Sequence, residues 1–314
     1  MKLLYFNPET EYALASGASF YTPPARVEKL KRENQLLPEL WANDEDMILV
    51  DDMAGLKSVN RLVTWGDLRE IFAKDSNLIF EPWGWNPALV RKLKDNGVPE
   101  YMLPKEEVIQ RIRELAHRRT TISLSNEWNE AVEDRYRIDV PVELTNIESC
   151  MNFYRNNIGC WMKAPWSSSG RGVINTAADM TEKLVEQWCR GILRRQGSVM
   201  GETAADRMED YATEWMMMGG VVEFLGLSSF STSNRGKYIS NHIMNQRDMA
   251  DKFNSESELP LSLIADLQKT ILQRVLEGYE GLFGVDMIVE CNGKLRPFVE
   301  VNLRRTMGML HIKP

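Results

Sequence analysis

Short apolar runs alternate with helical patterns through the first third of the chain. Lys2 to Phe6 reads as a strand, and Asn7 to Leu14 turns out of it into a loop or a helix start. Tyr21-Thr22-Pro23-Pro24 is a second break, and Pro24 suits the opening of a helix from Ala25 to Leu37. Asp46 to Asp51 predicts the next strand. Asn77 to Trp85 ends another at a turn, followed by a helix from Pro87 to Asp95. Strands alternating with helices predict a small parallel-sheet domain over residues 1–114. Asn7, Glu9, Glu11 and the Trp83-Gly84-Trp85 turn fall at strand C-terminal ends, where open α/β sheets place ligands; ordinary capping and packing accounts for the same letters.

Beyond that point the apolar runs lengthen. Gly159 to Pro165 reads as a strand carrying one lysine, Lys163. Thr181 to Gln196 and Leu261 to Glu277 have helical period. Glu214 to Met218 and Val221 to Leu227 flank Gly219-Gly220, a hairpin turn, with the methionine run as core filling. Gly284 to Val289 and Phe298 to Arg305 are two further strands joined through Asn292-Gly293, again a hairpin signal.

That last hairpin carries the chemistry. Asp286, Glu300 and Asn302 fall on adjacent antiparallel strands, and Glu300 and Asn302, two apart, point to one face. Two carboxylates and an amide oxygen form a hard, oxygen-lined site suited to Mg²⁺ or Mn²⁺ that is also held by nucleotide phosphates. Arg304 continues the face toward anionic substrate or phosphate. Polar residues on a solvent-facing strand pair would look the same in isolation. A second motif changes the balance. After Lys163 comes Ser167-Ser168-Ser169-Gly170-Arg171-Gly172, small residues that let backbone amides approach phosphate oxygens. Lys163 supplies a point charge for the α- or β-phosphate, and Arg171 is a candidate for the γ-phosphate. Neither a Walker A sequence nor a dinucleotide fingerprint is present.

Together these motifs resemble the ATP-grasp superfamily in order and spacing: a lysine strand, a Ser/Gly loop, a hinge segment, then Asp, then Glu-x-Asn-x-Arg, over roughly residues 115 to 310. The resemblance implies an α/β chain of the α+β grasp type: an N-terminal domain (1–114), a central and lid subdomain (115–200) and a C-terminal subdomain with the metal site (201–314), the last two with antiparallel sheets. It implies ATP held by Lys163, Ser167, Ser168, Ser169, Gly170 and Gly172, with Ser198 to Glu202 as the hinge that reads adenine. Asp286, Glu300 and Asn302 take the metal, and Arg304, Lys163 and Arg171 take catalytic roles. For the ribose, Asp210 and Glu209 are candidates, with Glu214 after them, and the pattern does not choose. Many members carry a further lysine at the start of the grasp region. Here Arg118 or Arg119 stands there, either replacing it or decorating a helix C-terminus. An unusually polar stretch, Thr203 to Tyr211, follows the hinge. Ser228 to Tyr238 is polar and small, and its Arg235 and Lys237 are candidates for a substrate carboxylate or for a solvated loop.

The net charge of −7 argues against a nucleic-acid partner. Four cysteines without close pairs suit reduced thiols. No apolar stretch reaches about 18 residues and no signal peptide opens the chain, so a cytoplasmic protein without membrane contact is expected. The resemblance implies an ATP-dependent carboxylate–amine ligase that forms an acyl phosphate and releases ADP and phosphate. Its partners are ATP and small-molecule or peptide carboxylates and amines, with a homodimer as a family expectation. A grasp-type kinase of a small molecule and a nucleotide-binding protein with little turnover are the alternatives.

Overall fold

The computed structural model describes residues 1–75, 77–167, 172–177, 180–233 and 236–312. It divides into two compact units, Met1–Glu114 and Leu115–Pro314.

Unit 1 runs β1 (Lys2–Tyr5), α1 (Thr10–Ser16), α2 (Ala25–Glu33), β2 (Met47–Val50), β3 (Arg61–Thr64), α3 (Leu68–Lys74), β4 (Ile79–Pro82), α4 (Pro87–Asp95) and the start of α5 (Glu106–Leu115). Its four strands are all parallel, in the order β3-β2-β1-β4. β2 is buried throughout, as a strand covered on both faces must be. Leu3, Leu49, Val63, Phe72 and Leu93 meet in its core, each worth about 2 kcal/mol of apolar transfer. The helix read from Ala25 to Leu37 stops at Glu33: Asn34 caps it, and Pro38, inside a short 3₁₀ turn, has no N–H to extend an α-helix.

Unit 2 runs α6 (Thr120–Ala131), β5 (Val142–Leu144), α7 (Ile147–Asn156), β6 (Trp161–Lys163), β7 (Val173–Asn175), α8 (Glu182–Gln196), β8 (Val199–Glu202), β9 (Arg207–Met218), β10 (Val221–Thr232), β11 (Tyr238–His242), α9 (Gln246–Glu256), α10 (Leu261–Val275), β12 (Gly281–Glu290) and β13 (Leu295–Asn302). Two antiparallel sheets result, β5-β8-β6-β7 and β11-β10-β9-β12-β13. α7 and α8 pack on the smaller sheet through Cys150, Met162, Val185 and Cys189. Behind the larger sheet, Gln268 of α10 ties two strands at once, accepting from Thr213 Oγ1 (2.9 Å) and donating to the Pro297 carbonyl (2.8 Å).

Two polar stretches turn out to be strand. Arg207 to Tyr211 opens β9, and Ser228 to Thr232 closes β10. Their polar residues line a cavity or meet partners across the sheet, so polarity there does not mark a loop. The last strand also ends earlier than its letters suggest, at Asn302. The Arg304 N–H bonds back to the Asn302 carbonyl (2.8 Å), a three-residue turn that takes the chain out of the ladder.

Candidate active site

Between the two sheets of unit 2 lies a cavity of about 190 Å³. The larger sheet supplies an acidic wall. On β12 and β13 Asp286 and Glu300 are direct cross-strand partners, and Asp286 also pairs with Ala212 of β9. One step along, Glu214 of β9 pairs with Gly284, and Gly284 with Asn302. Two adjacent rows therefore carry Asp286, Glu300, Glu214 and Asn302 on one face, which is why all four line the cavity. Register shifts between Asp286 and Ile288, an irregularity next to Pro297 on the edge strand.

Glu214 is wholly buried. Its Oε1 accepts from Ser228 Oγ (3.0 Å), while Oε2 has no hydrogen-bond partner among the described residues. Two glycines make room for it. A Cβ at Gly284 would meet Glu214 Oε2 at 2.7 Å, and one at Gly308 would collide with Oε1 and with Ser228. Burial raises the Glu214 carboxyl to about 7, against the pull of the Thr306 and Ser228 hydroxyls and of Arg304. Burial likewise pushes Asp286 well above the usual carboxylate range, and the neighbouring Glu300 and Glu214 add to it. Asn302 Nδ2 donates to Asp286 Oδ1 (3.1 Å), and Arg304 Nη2 donates to Asn302 Oδ1 (3.1 Å).

The smaller sheet supplies a cationic wall. Trp161 and Lys163 of β6 line the cavity, while Met162 between them enters the core. Lys163 Nζ pairs with Glu202 of β8 at 2.6 Å. Arg118, 5% exposed, sits just before α6. Its Nη1 donates to the Ala164 carbonyl and to Ser167 Oγ (2.7 Å each), and its Nη2 meets Glu300 Oε1 at 2.5 Å. One guanidinium thus joins the lysine strand to the acidic wall. Arg119 points elsewhere, half-exposed beside Glu143 (3.3 Å). Gly172 has φ +80°, and a Cβ there would press on Ser167 and Ala164.

At another part of the cavity Asp210 accepts from Arg207 Nη1 (3.0 Å) and Thr232 Oγ1 (2.7 Å). Burial raises its carboxyl above the usual range, opposed by Arg207. Glu209 faces the other side of β9, bonded to Ser229 (2.6 Å) and Lys252 (3.0 Å). Of the remaining candidates, Lys237 is exposed on the β10–β11 turn and does not line the cavity. Ser168, Ser169, Gly170, Arg171 and Arg235 lie outside the described residues. The structure therefore gathers Arg118, Lys163, Ser167, Glu202, Asp210, Asp286, Glu300, Asn302 and Arg304 around one cavity. It adds Glu214 to the acidic cluster, where the sequence offered it only as a third choice for the ribose. Alternation along β9 (210, 212, 214) was the available signal.

Among the described residues no group of three or more His, Cys, Asp and Glu side chains is arranged as a ready-made metal centre. The oxygen set here has another character. Asp286, Glu300 and Glu214 clustered on one face, with Glu214 Oε2 buried and without a partner among the described residues, suit a hard divalent cation completed by ligands from outside the protein.

The sequence matches no protein-family model and no curated protein. Solved structures do match. N5-carboxyaminoimidazole synthetase from Staphylococcus aureus, solved with ADP, is 11% identical with a TM-score of 0.55, covering 98% of this chain and 71% of that one. The biotin carboxylase domain of 2-oxoglutarate carboxylase from Hydrogenobacter thermophilus, solved with MgADP, ADP and bicarbonate, is 12% identical with a TM-score of 0.56, covering 98% and 64%. An L-amino acid ligase from Bacillus licheniformis is 12% identical with a TM-score of 0.50, covering 99% and 69%. All three are ATP-grasp proteins, and at these identities the likeness is one of fold. The chain has the ATP-grasp fold.

Proposed function

We propose that unit 2 binds ATP with Mg²⁺ in this cavity and joins a carboxylate to an amine. The observation that carries the reading is the opposition of two walls in one cavity: Lys163 and Arg118 on one side, and Asp286, Glu300 and Asn302, with Arg304, on the other. Phosphoryl transfer asks a protein mainly for positioning and charge stabilisation, and this opposition provides both. Lys163 faces the α- or β-phosphate. Ser167 and Gly172 flank the phosphate chain, with Ser168 to Arg171 between them in sequence. Glu202 lies near the base and Asp210 holds the ribose hydroxyls. Asp286, Glu300 and Asn302 would hold the metal, which would supply charge neutralisation at the phosphates.

The supported reaction class is ligation through an acyl phosphate. A substrate carboxylate oxygen takes the γ-phosphoryl group and ADP leaves. An amine nitrogen then attacks the acyl carbon, phosphate leaves, and the nitrogen gives up a proton to yield the amide. Arg304 stabilises the negative charge that develops on the transferring group. Solved neighbours that include an L-amino acid ligase support this class. The test is turnover with candidate acids in the presence of hydroxylamine. The expected result is release of ADP and phosphate with a hydroxamate. AMP and pyrophosphate would overturn the acyl-phosphate route, and a stable phosphorylated product with no hydroxamate would overturn the ligase reading.

A further inference from the structure

Unit 1 carries its own cavity, about 330 Å³, and the sheet order explains where it lies. From β1 the chain steps outward to β2 and β3, then returns to the other side of β1 as β4. The connections that leave the C-terminal ends of β1 and β4 therefore diverge and open a crevice. Tyr5, the last residue of β1, and Asn86, just beyond β4, both line the cavity.

A crevice of this kind that receives phosphate has a glycine-rich first turn. Here the turn is Phe6-Asn7-Pro8-Glu9, which sets a carboxylate at the start of α1. Glu9 lines the cavity, and its Oε2 is buried with no hydrogen-bond partner among the described residues. Burial raises its carboxyl above the usual range, and Glu28 nearby adds to this against the pull of Lys31. Such a group repels a phosphate and fits an ammonium ion.

α4 presents the complementary chemistry. Asn86 is 1% exposed, and its Oδ1 caps the helix by accepting from Leu89 N (2.9 Å). Asp or Ser would cap as well. What asparagine adds is Nδ2, buried and without a partner among the described residues. Lys92, on the same helix, also lines the cavity. Its ammonium stands 3.7 Å from the Trp65 ring centroid and 3.6 Å from Asp51. Of the other charged side chains there, Lys31 pairs with Asp51 at 2.9 Å and Arg91 with Asp95 at 2.8 Å, while Glu28 adds a second carboxylate on the Glu9 side. At the cavity edge Phe20 is 76% exposed, with Tyr21 beside it in sequence.

We propose that this crevice binds a free α-amino acid by its zwitterionic head. Glu9 takes the ammonium group, Asn86 Nδ2 and the Lys92 ammonium take the carboxylate, and Tyr21 and Phe20 cover the side chain. The site stands whether or not unit 2 carries a ligase.

The test is calorimetric titration of the full chain with each of the common L-amino acids in turn, with inorganic phosphate as a separate probe. At least one amino acid binds, and its N-acetyl and amide derivatives bind at least about tenfold more weakly, as expected for loss of a charged contact. Glu9→Gln and Asn86→Asp, which keeps the cap, each weaken binding by about tenfold or more. ATP affinity stays within about twofold, and Glu300→Gln leaves the amino acid bound. Should Glu9→Gln fail to fold by its melting curve, Asn86→Asp and Lys92→Met carry the test. The proposal is overturned if no amino acid binds, if phosphate competes for the site, or if these variants leave affinity unchanged. Binding that Glu300→Gln abolishes and Glu9→Gln does not would overturn it as well.

Discussion

The two walls of the unit 2 cavity rest on unequal frames. The acidic wall stands on strands of twelve, twelve, ten and eight residues in one antiparallel ladder. The cationic wall stands on strands of three or four residues. Holding like charges together in a buried place is costly unless the frame is over-determined, and the long ladder provides that. Lys163 and Arg118 have partners of opposite sign already and need less support. On the proposed function, the contrast gives geometry to one wall and contact with the phosphate chain to the other.

Breaking the acidic wall has the largest expected effect. Asp286→Asn keeps the side chain's size but removes the charge, and turnover should fall by roughly a thousandfold, about 4 kcal/mol, read as kcat/KM at saturating Mg²⁺. The same wall carries a pH signature. Glu214 has a carboxyl raised from 4.5 to about 7 in the folded chain. As pH climbs between those values the unfolded state ionises first, so the folded state loses stability, by roughly 3 kcal/mol in all, with no further loss above. Urea unfolding from pH 4.5 to 7.5 should show this fall in the ligand-free wild type and much less of it in Glu214→Gln.

On the other wall, Lys163→Met should lower kcat/KM about a hundredfold, near 2.7 kcal/mol, and should also lower the melting temperature, since it leaves the nearly buried Glu202 carboxylate without its partner. An effect as large as that of Asp286→Asn would erase the proposed division of labour. Gly308→Ala sharpens the comparison from the packing side. Its methyl would collide with Glu214 and Ser228 and should cost about 2 kcal/mol of stability, seen as a fall in melting temperature that Gly308→Ser does not relieve. The smallest effect is expected from Arg119→Ala, within about 0.5 kcal/mol of wild type. Its half-exposed pairing with Glu143 stands apart from the cavity, whereas Arg118→Ala should be strongly destabilising because it removes a buried guanidinium that joins the Ala164 carbonyl, Ser167 and the half-buried Glu300.

Much of the acidic wall was legible because its signals are local. Asn292-Gly293 gives the turn, and the two-residue spacing of Glu300 and Asn302 gives the face. The direct pairing of Asp286 with Glu300 was not legible: the ladder beside the turn pairs Val289 with Leu295, and a register shift between Asp286 and Ile288 brings Glu300 opposite Asp286. Glu214 was not legible in its role, because its neighbour Gly284 is set by the register of β9 against β12, some 70 residues away in sequence. Nothing local separates Arg118 from Arg119, for the same reason: the partners of Arg118, namely Ala164, Ser167 and Glu300, are all distant in sequence. The start of β9 and the end of β10 were not legible as strand, because strands that face a cavity carry polar side chains where a core strand carries apolar ones. In unit 1 the parallel sheet was legible from its alternation. The short β3 was not, since four residues with one exposed Arg carry little periodicity.

The central claim is that the two walls together hold a metal–nucleotide complex. Calorimetric titration of ATP with and without Mg²⁺, on wild type and on Glu300→Gln, tests it most directly. The account predicts micromolar binding that requires Mg²⁺ and weakens at least about a hundredfold in the variant. Binding indifferent to Mg²⁺ and to Glu300, or no binding, would contradict it and return the acidic strands to a structural role.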